Sequence, residues 1–67
     1  MKINLSERLA QHSLPKHVIA ETIGVSRQTL HSIETGKYCP SVLIALKLAH
    51  LLGVPVEDIF TLEKKDL

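Results

Sequence analysis

Apolar residues recur three and four apart in several stretches of this chain, and polar, Gly or Pro residues separate those stretches. Leu5 and Leu9 mark the inner face of a first helix, Leu5 to His12. Asn4 and Glu7 have the spacing of a capping box at its start, with Asn replacing Ser or Thr. Ser13-Leu-Pro15 ends it, and Pro15 suits the first turn of a second helix, Pro15 to Ile23. Ile19, Ala20 and Ile23 form that helix's inner face. Gly24 stops it, because glycine takes the left-handed backbone at little steric cost. Ser26 then caps a third helix, its hydroxyl accepting from the N–H of Gln28 or Thr29. Gly36 and Pro40 end the third helix, Ser41 caps a fourth over Val42 to Leu52, and Gly53 closes that one. Pro55 opens a short fifth helix, Val56 to Phe60. The pattern is all-α, with five helices in one domain spanning residues 1–67.

Two of these helices carry more than a fold. Around Gly24 the chain reads helix, sharp turn, helix, over residues 16–33. Ala20 is small enough to let the following helix cross closely. In the third helix Leu30 and Ile33 face inward with Val25. Arg27, Gln28, His31, Ser32 and Thr35 form one polar stripe on the opposite side. The stripe lacks acidic groups and is rich in donors that reach base edges, as a helix reading a DNA major groove requires. The alternative is an ordinary solvated face, but such a face more often carries Glu and Lys pairs. Arg27 and Gln28, in the first turn, are the leading candidates for base contact. Arginine bonds bidentately to guanine and glutamine to adenine. Ser32 follows, then His31 and Thr29.

The run from Lys16 to Ile33 resembles the helix-turn-helix of Cro and the phage repressors, the XRE-type family. Ala20, Gly24, Leu30 and Ile33 stand at that family's spacing. The resemblance continues through Ile33-Glu-Thr-Gly-Lys-Tyr-Cys-Pro-Ser41, Ala45-Leu-Lys-Leu-Ala49 and Leu52-Gly-Val-Pro-Val-Glu-Asp-Ile-Phe60, so it covers residues 5–60. It implies a five-helix, lambda-repressor-like DNA-binding domain, and most resembles the small homodimeric cytolysin-repressor type. That type pairs its two ends. Lys2-Ile-Asn4 and Phe60-Thr-Leu-Glu63 are both strand-compatible, so a small antiparallel ribbon is expected there, with the rest of Thr61 to Leu67 frayed. Lys16 stands where the family commonly has a glutamine touching the DNA backbone, and lysine preserves a phosphate contact. Lys37 and the backbone N–H groups of Gly36 and of the second helix's N-terminus are further phosphate candidates. The family also pairs a helix-1 arginine with the glutamate at Glu34. The turn between helices 1 and 2 is one residue short, which leaves the register of Arg8 open. Val18 replaces a usually polar residue, and nothing in the sequence explains it.

The fourth helix, Val42-Leu-Ile-Ala-Leu-Lys-Leu-Ala-His-Leu-Leu52, is apolar nearly all round and so should be buried nearly all round. A domain this small cannot cover both its sides. Leu43 and Ile44 fall at positions the family often makes polar. Leu43, Ile44 and Leu51, with Phe60 and Leu62, are therefore expected at a homodimer surface. The alternative is internal packing against helices 1 and 5.

Net charge is only +1, but residues 1–40 hold five Lys or Arg against three Glu, and residues 41–67 hold three Lys against four acids. The positive excess lies in the half containing the helix-turn-helix. Cys39 is the only cysteine, which excludes an internal disulfide and fits a reducing cytosol. No apolar run is long enough to span a membrane and no signal peptide is read, so a cytoplasmic protein is expected. No carboxylate pair or Gly-rich phosphate loop supports catalysis. The spacing of His12, His17, His31, His50 and Cys39 matches no zinc pattern, so neither metal nor cofactor is expected. The expected function is a sequence-specific transcriptional regulator, a repressor binding a near-palindromic operator on double-stranded DNA as a homodimer. Its rivals are an antitoxin or a protein-interaction domain of the same fold.

Overall fold

Ten residues, all apolar, form the buried core: Leu5, Leu9, Ile19, Ala20, Ile23, Leu30, Ile33, Leu48, Ala49 and Ile59. They come from every helix that the apolar spacing predicted, and burying each large side chain among them contributes about 1.5–3 kcal/mol. The structure, a computed structural model, describes all of residues 1–67. In chain order it runs β1 (Lys2–Ile3), α1 (Leu5–Gln11), α2 (Lys16–Ile23), α3 (Arg27–Glu34), α4 (Val42–Leu52), a 3₁₀ turn at Val56–Asp58, β2 (Phe60–Thr61) and a last 3₁₀ turn at Lys64–Asp66.

There are thus four α-helices, not five. Pro55 starts the fifth segment, but Asp58 N–H and Ile59 N–H bond back only three residues, to the Pro55 and Val56 carbonyls, at 3.0 Å each. Ile59 must enter the core and Phe60 must pair with β1, so the chain has no room for a full α-turn. Pro15 caps α2 from outside in extended backbone rather than joining its first turn. Asn4 makes no capping box. Its N–H donates to the Ile59 carbonyl at 2.8 Å and its side chain to the Asp58 carbonyl at 3.5 Å, which ties the start of α1 to the end of the chain.

The ribbon exists but is short, with Lys2 opposite Thr61 and Ile3 opposite Phe60, antiparallel. The C-terminal residues do not fray. Asp66 accepts from the Glu63 N–H at 2.8 Å, and the Met1 ammonium lies 2.8 Å from Asp66 and 3.2 Å from Glu63. Two-residue strands are marginal alone, and this ionic clasp adds to the Asn4 bond to Ile59 and to the packing of Ile3 and Phe60 against the core.

α4 matches its predicted bounds, and the single chain covers only one of its sides. Only Leu48 and Ala49 are buried, while Ile44, Leu51 and Leu52 pack half-buried against the core. Val42, Leu43 and Leu46 stay 76%, 62% and 53% exposed. No helix is long and apolar enough to cross a membrane.

Candidate nucleic-acid interface

The turn between α2 and α3 is set by its glycine. Gly24 sits at φ +82°, and the Val25 N–H closes the turn onto the Ala20 carbonyl at 2.9 Å. A Cβ at Gly24 would meet nothing within 4 Å, so backbone conformation and not space demands glycine there. Ser26 then accepts from the Thr29 N–H at 3.0 Å and donates to the Thr29 hydroxyl at 2.9 Å, which starts α3.

α3 is divided cleanly. Leu30 and Ile33 are buried, Arg27, Gln28 and His31 are exposed, and Thr29 and Ser32 are half-buried along one margin. Thr35, exposed at the end of α3, donates its hydroxyl to the Ser32 carbonyl at 3.3 Å. A cleft borders the helix on each side. One, of about 440 Å³, is lined by Gln28, Thr29, Ser32 and Tyr38. The other, of about 490 Å³, is lined by Lys16, Arg27, Gln28, Leu30, His31 and Glu34. Gln28 borders both, so it stands on the crest of the helix.

Glu34 is the only acid on α3, and it points into the protein. Its side chain is 4% exposed and accepts from the Ser6 hydroxyl and the Lys16 ammonium at 3.0 Å each. The outward face of α3 therefore carries no free negative charge. Arg8 is not the partner of Glu34. It reaches Asp58 at 3.6 Å, because α1 leads toward the closed ends of the chain. Lys16, expected only at phosphate, also supplies the cation that pins α2 to α3, and it remains half in water.

Gly36, expected to offer its N–H to a phosphate, ends α3. It sits at φ +79°, and its N–H donates to the Ile33 carbonyl at 3.2 Å, while the N–H groups of Lys37 and Tyr38 both go to the Ser32 carbonyl, at 3.0 and 3.2 Å. In the free chain these donors are engaged by helix-end carbonyls. The Lys37 side chain stays exposed and free of carboxylates. Tyr38, which the sequence pattern did not single out, borders the Thr29–Ser32 margin of α3 at 49% exposure. The signal available was the chain's only tyrosine, placed two residues after a helix-ending glycine.

Of the expected dimer residues, Leu43 and Leu62 are exposed, while Ile44, Leu51 and Phe60 lean on the core. Val42 and Leu46 extend the exposed face, and an apolar groove of about 230 Å³ bounded by Met1, Val42, Val56 and Phe60 adjoins it. No three His, Cys, Asp or Glu gather where a metal ion would bind.

The chain matches the helix-turn-helix family over residues 5–59. It is similar to an HTH-type transcriptional regulator of Methanocaldococcus jannaschii, 48% identical over 63 residues that cover 94% of this chain and 96% of that one. It is similar also to the HTH-type transcriptional regulator YgzD of Bacillus subtilis, 39% identical over 98% of this chain and all of that one. A third such regulator, from Archaeoglobus fulgidus, is 33% identical over this whole chain and 94% of its own. With α2, the glycine turn and the polar face of α3 in place, these likenesses decide the family: the chain belongs to the helix-turn-helix transcriptional regulators, which bind DNA.

Proposed function

We propose that the chain acts as a sequence-specific repressor that binds a near-palindromic operator as a homodimer. The partition of α3 carries this reading. One face is locked in the core, the other offers Arg27, Gln28 and His31 with Ser32 and Thr29 beside them, and the one acid is turned inward. In this reading Arg27 and Gln28 read base edges from the first turn, and Ser32, Thr29 and His31 add to them. Lys16 and Lys37 hold the phosphate backbone on the two sides of α3. A regulator of this family is not an enzyme, and nothing in this function calls for a cofactor.

The dimer rests on Val42, Leu43 and Leu46, exposed together on α4, with Leu62 also exposed. A second copy covering that face, as in the small homodimeric cytolysin-repressor type, would set two α3 helices about 34 Å apart on one side of the duplex. Occupying a site is enough to repress, so no further device is required, and the site of action is the cytoplasm, on DNA.

The same exposed face supports a second reading, a protein partner in place of a second copy, as in an antitoxin. Selection of bound duplexes from a random pool by the purified protein separates the two. A near-palindromic consensus supports the dimeric repressor. Failure to retain any duplex at low salt supports the protein-partner reading.

A further inference from the structure

We propose that Tyr38 is a DNA-backbone contact, its phenol hydroxyl donating to a phosphate beside the C-terminal half of α3. The proposal rests on α3 lying in the major groove. An α-helix with side chains is about 10–12 Å across and the major groove about 12 Å wide, so a docked helix fills it and its flanks face the two phosphate strands. α3 has a cleft on each flank. Lys16 borders one, and Tyr38 is the one residue from outside α3 that borders the other. The N–H groups of Gly36, Lys37 and Tyr38 are all bonded to α3 carbonyls and so are engaged within the fold. The Tyr38 side chain is the group that these turn bonds place on that flank.

Those same bonds fix the Tyr38 backbone against Ser32, so the ring is presented by a rigid turn and not by a wandering loop. The ring is half exposed beside Gln28, Thr29 and Ser32. A tyrosine with one wet end and one apolar body suits an interface better than open solvent, and phenol hydroxyls are among the groups that bond phosphate oxygens. Tyr38 differs from Lys37 in a measurable way. Its hydroxyl is neutral, so docking it on a phosphate releases no counterion.

Tyr38 is the only tyrosine in the chain, so 3-fluorotyrosine incorporation gives a single ¹⁹F resonance. That resonance is followed while a duplex selected from a random pool, and a scrambled duplex, are titrated in. Affinities of the native protein, Tyr38→Phe and Lys37→Ala for both duplexes are measured by anisotropy of labelled DNA at several salt concentrations. The ¹⁹F line should shift on saturation. Tyr38→Phe, which keeps the ring, should weaken both duplexes by the same factor, about three- to tenfold, with the salt slope unchanged. Lys37→Ala should lower the slope by about 0.9. Native affinity in Tyr38→Phe, or a loss confined to the selected duplex, overturns the phosphate contact while leaving the DNA-binding reading intact. If the native protein binds neither duplex, that reading falls and the contact falls with it.

Discussion

At the scale of residues, the Glu34 carboxylate joins three helices of the fold. It is almost out of water, and only the Ser6 hydroxyl and the Lys16 ammonium answer it. Lys16 is itself 55% exposed, so water screens much of the pair's attraction. Truncating Lys16 leaves a buried carboxylate with one neutral donor, and Lys16→Met should destabilise the fold by about 1–2 kcal/mol. Adding Glu34→Gln, which keeps an acceptor for Ser6 but removes the charge, should recover part of that loss. Urea unfolding of both single variants and the double variant measures the coupling. A coupling of zero would mean that Lys16 stands beside Glu34 without holding it. This pair was not legible in the sequence. The partners lie eighteen residues apart on different helices, and the family resemblance pointed instead to an arginine on α1, whose register a shortened turn left open. The Ser26 cap was legible, because capping is decided within a few residues.

At the scale of elements, helix bounds followed the punctuation of Gly, Pro and Ser, and α4 was placed to the residue. What failed was the fate of segments governed by distant pairing. Pro55 signals a helix start, yet the pull of β2 toward β1 leaves only a 3₁₀ turn. The charged C-terminus reads as frayed until the Met1 ammonium is seen to fix it. For α4 the composition announced a surplus of apolar surface but not which side it faced. The structure separates Leu43, exposed, from Ile44, leaning on the core. Leu43→Glu should therefore abolish dimerisation while leaving the melting temperature of the monomer nearly unchanged. Ile44→Glu should lower stability as well, by about 2 kcal/mol or more, since it drives a charge into the packed side. Sedimentation equilibrium and thermal melts read the two effects separately. A dimer mass persisting in Leu43→Glu would remove this face from the interface.

At the scale of the whole molecule, the two ends are joined and the polar face of α3 is left open. The Asp66 carboxylate bonded to the Met1 ammonium raises the ammonium's pKa, and that ammonium holds the Asp66 carboxyl below its ordinary range. The signs give a window. The raised ammonium stabilises at pH below its unfolded value and loses that contribution as pH rises through its folded value. The lowered carboxyl stabilises above its unfolded value and loses that contribution as pH falls through its folded value. The clasp is thus intact from mildly acidic to mildly alkaline pH. NMR titration of the α-amino group should show its midpoint fall toward the ordinary value in Asp66→Asn, and an unmoved midpoint would deny the clasp. Closing the ends is scaffolding, whereas the purpose proposed for the molecule is that α3 reads bases. The most direct test pairs Arg27→Ala with Lys37→Ala, each titrated on a selected operator and on a scrambled duplex at several salt concentrations. Arg27→Ala should lose about 1–3 kcal/mol on the operator, relax preference at one base pair and lose far less on the scrambled duplex, whereas Lys37→Ala should weaken both alike. An equal loss on both duplexes for Arg27→Ala would make Arg27 a phosphate contact, and no loss for either variant on either duplex would show that the open face of α3 does not meet DNA.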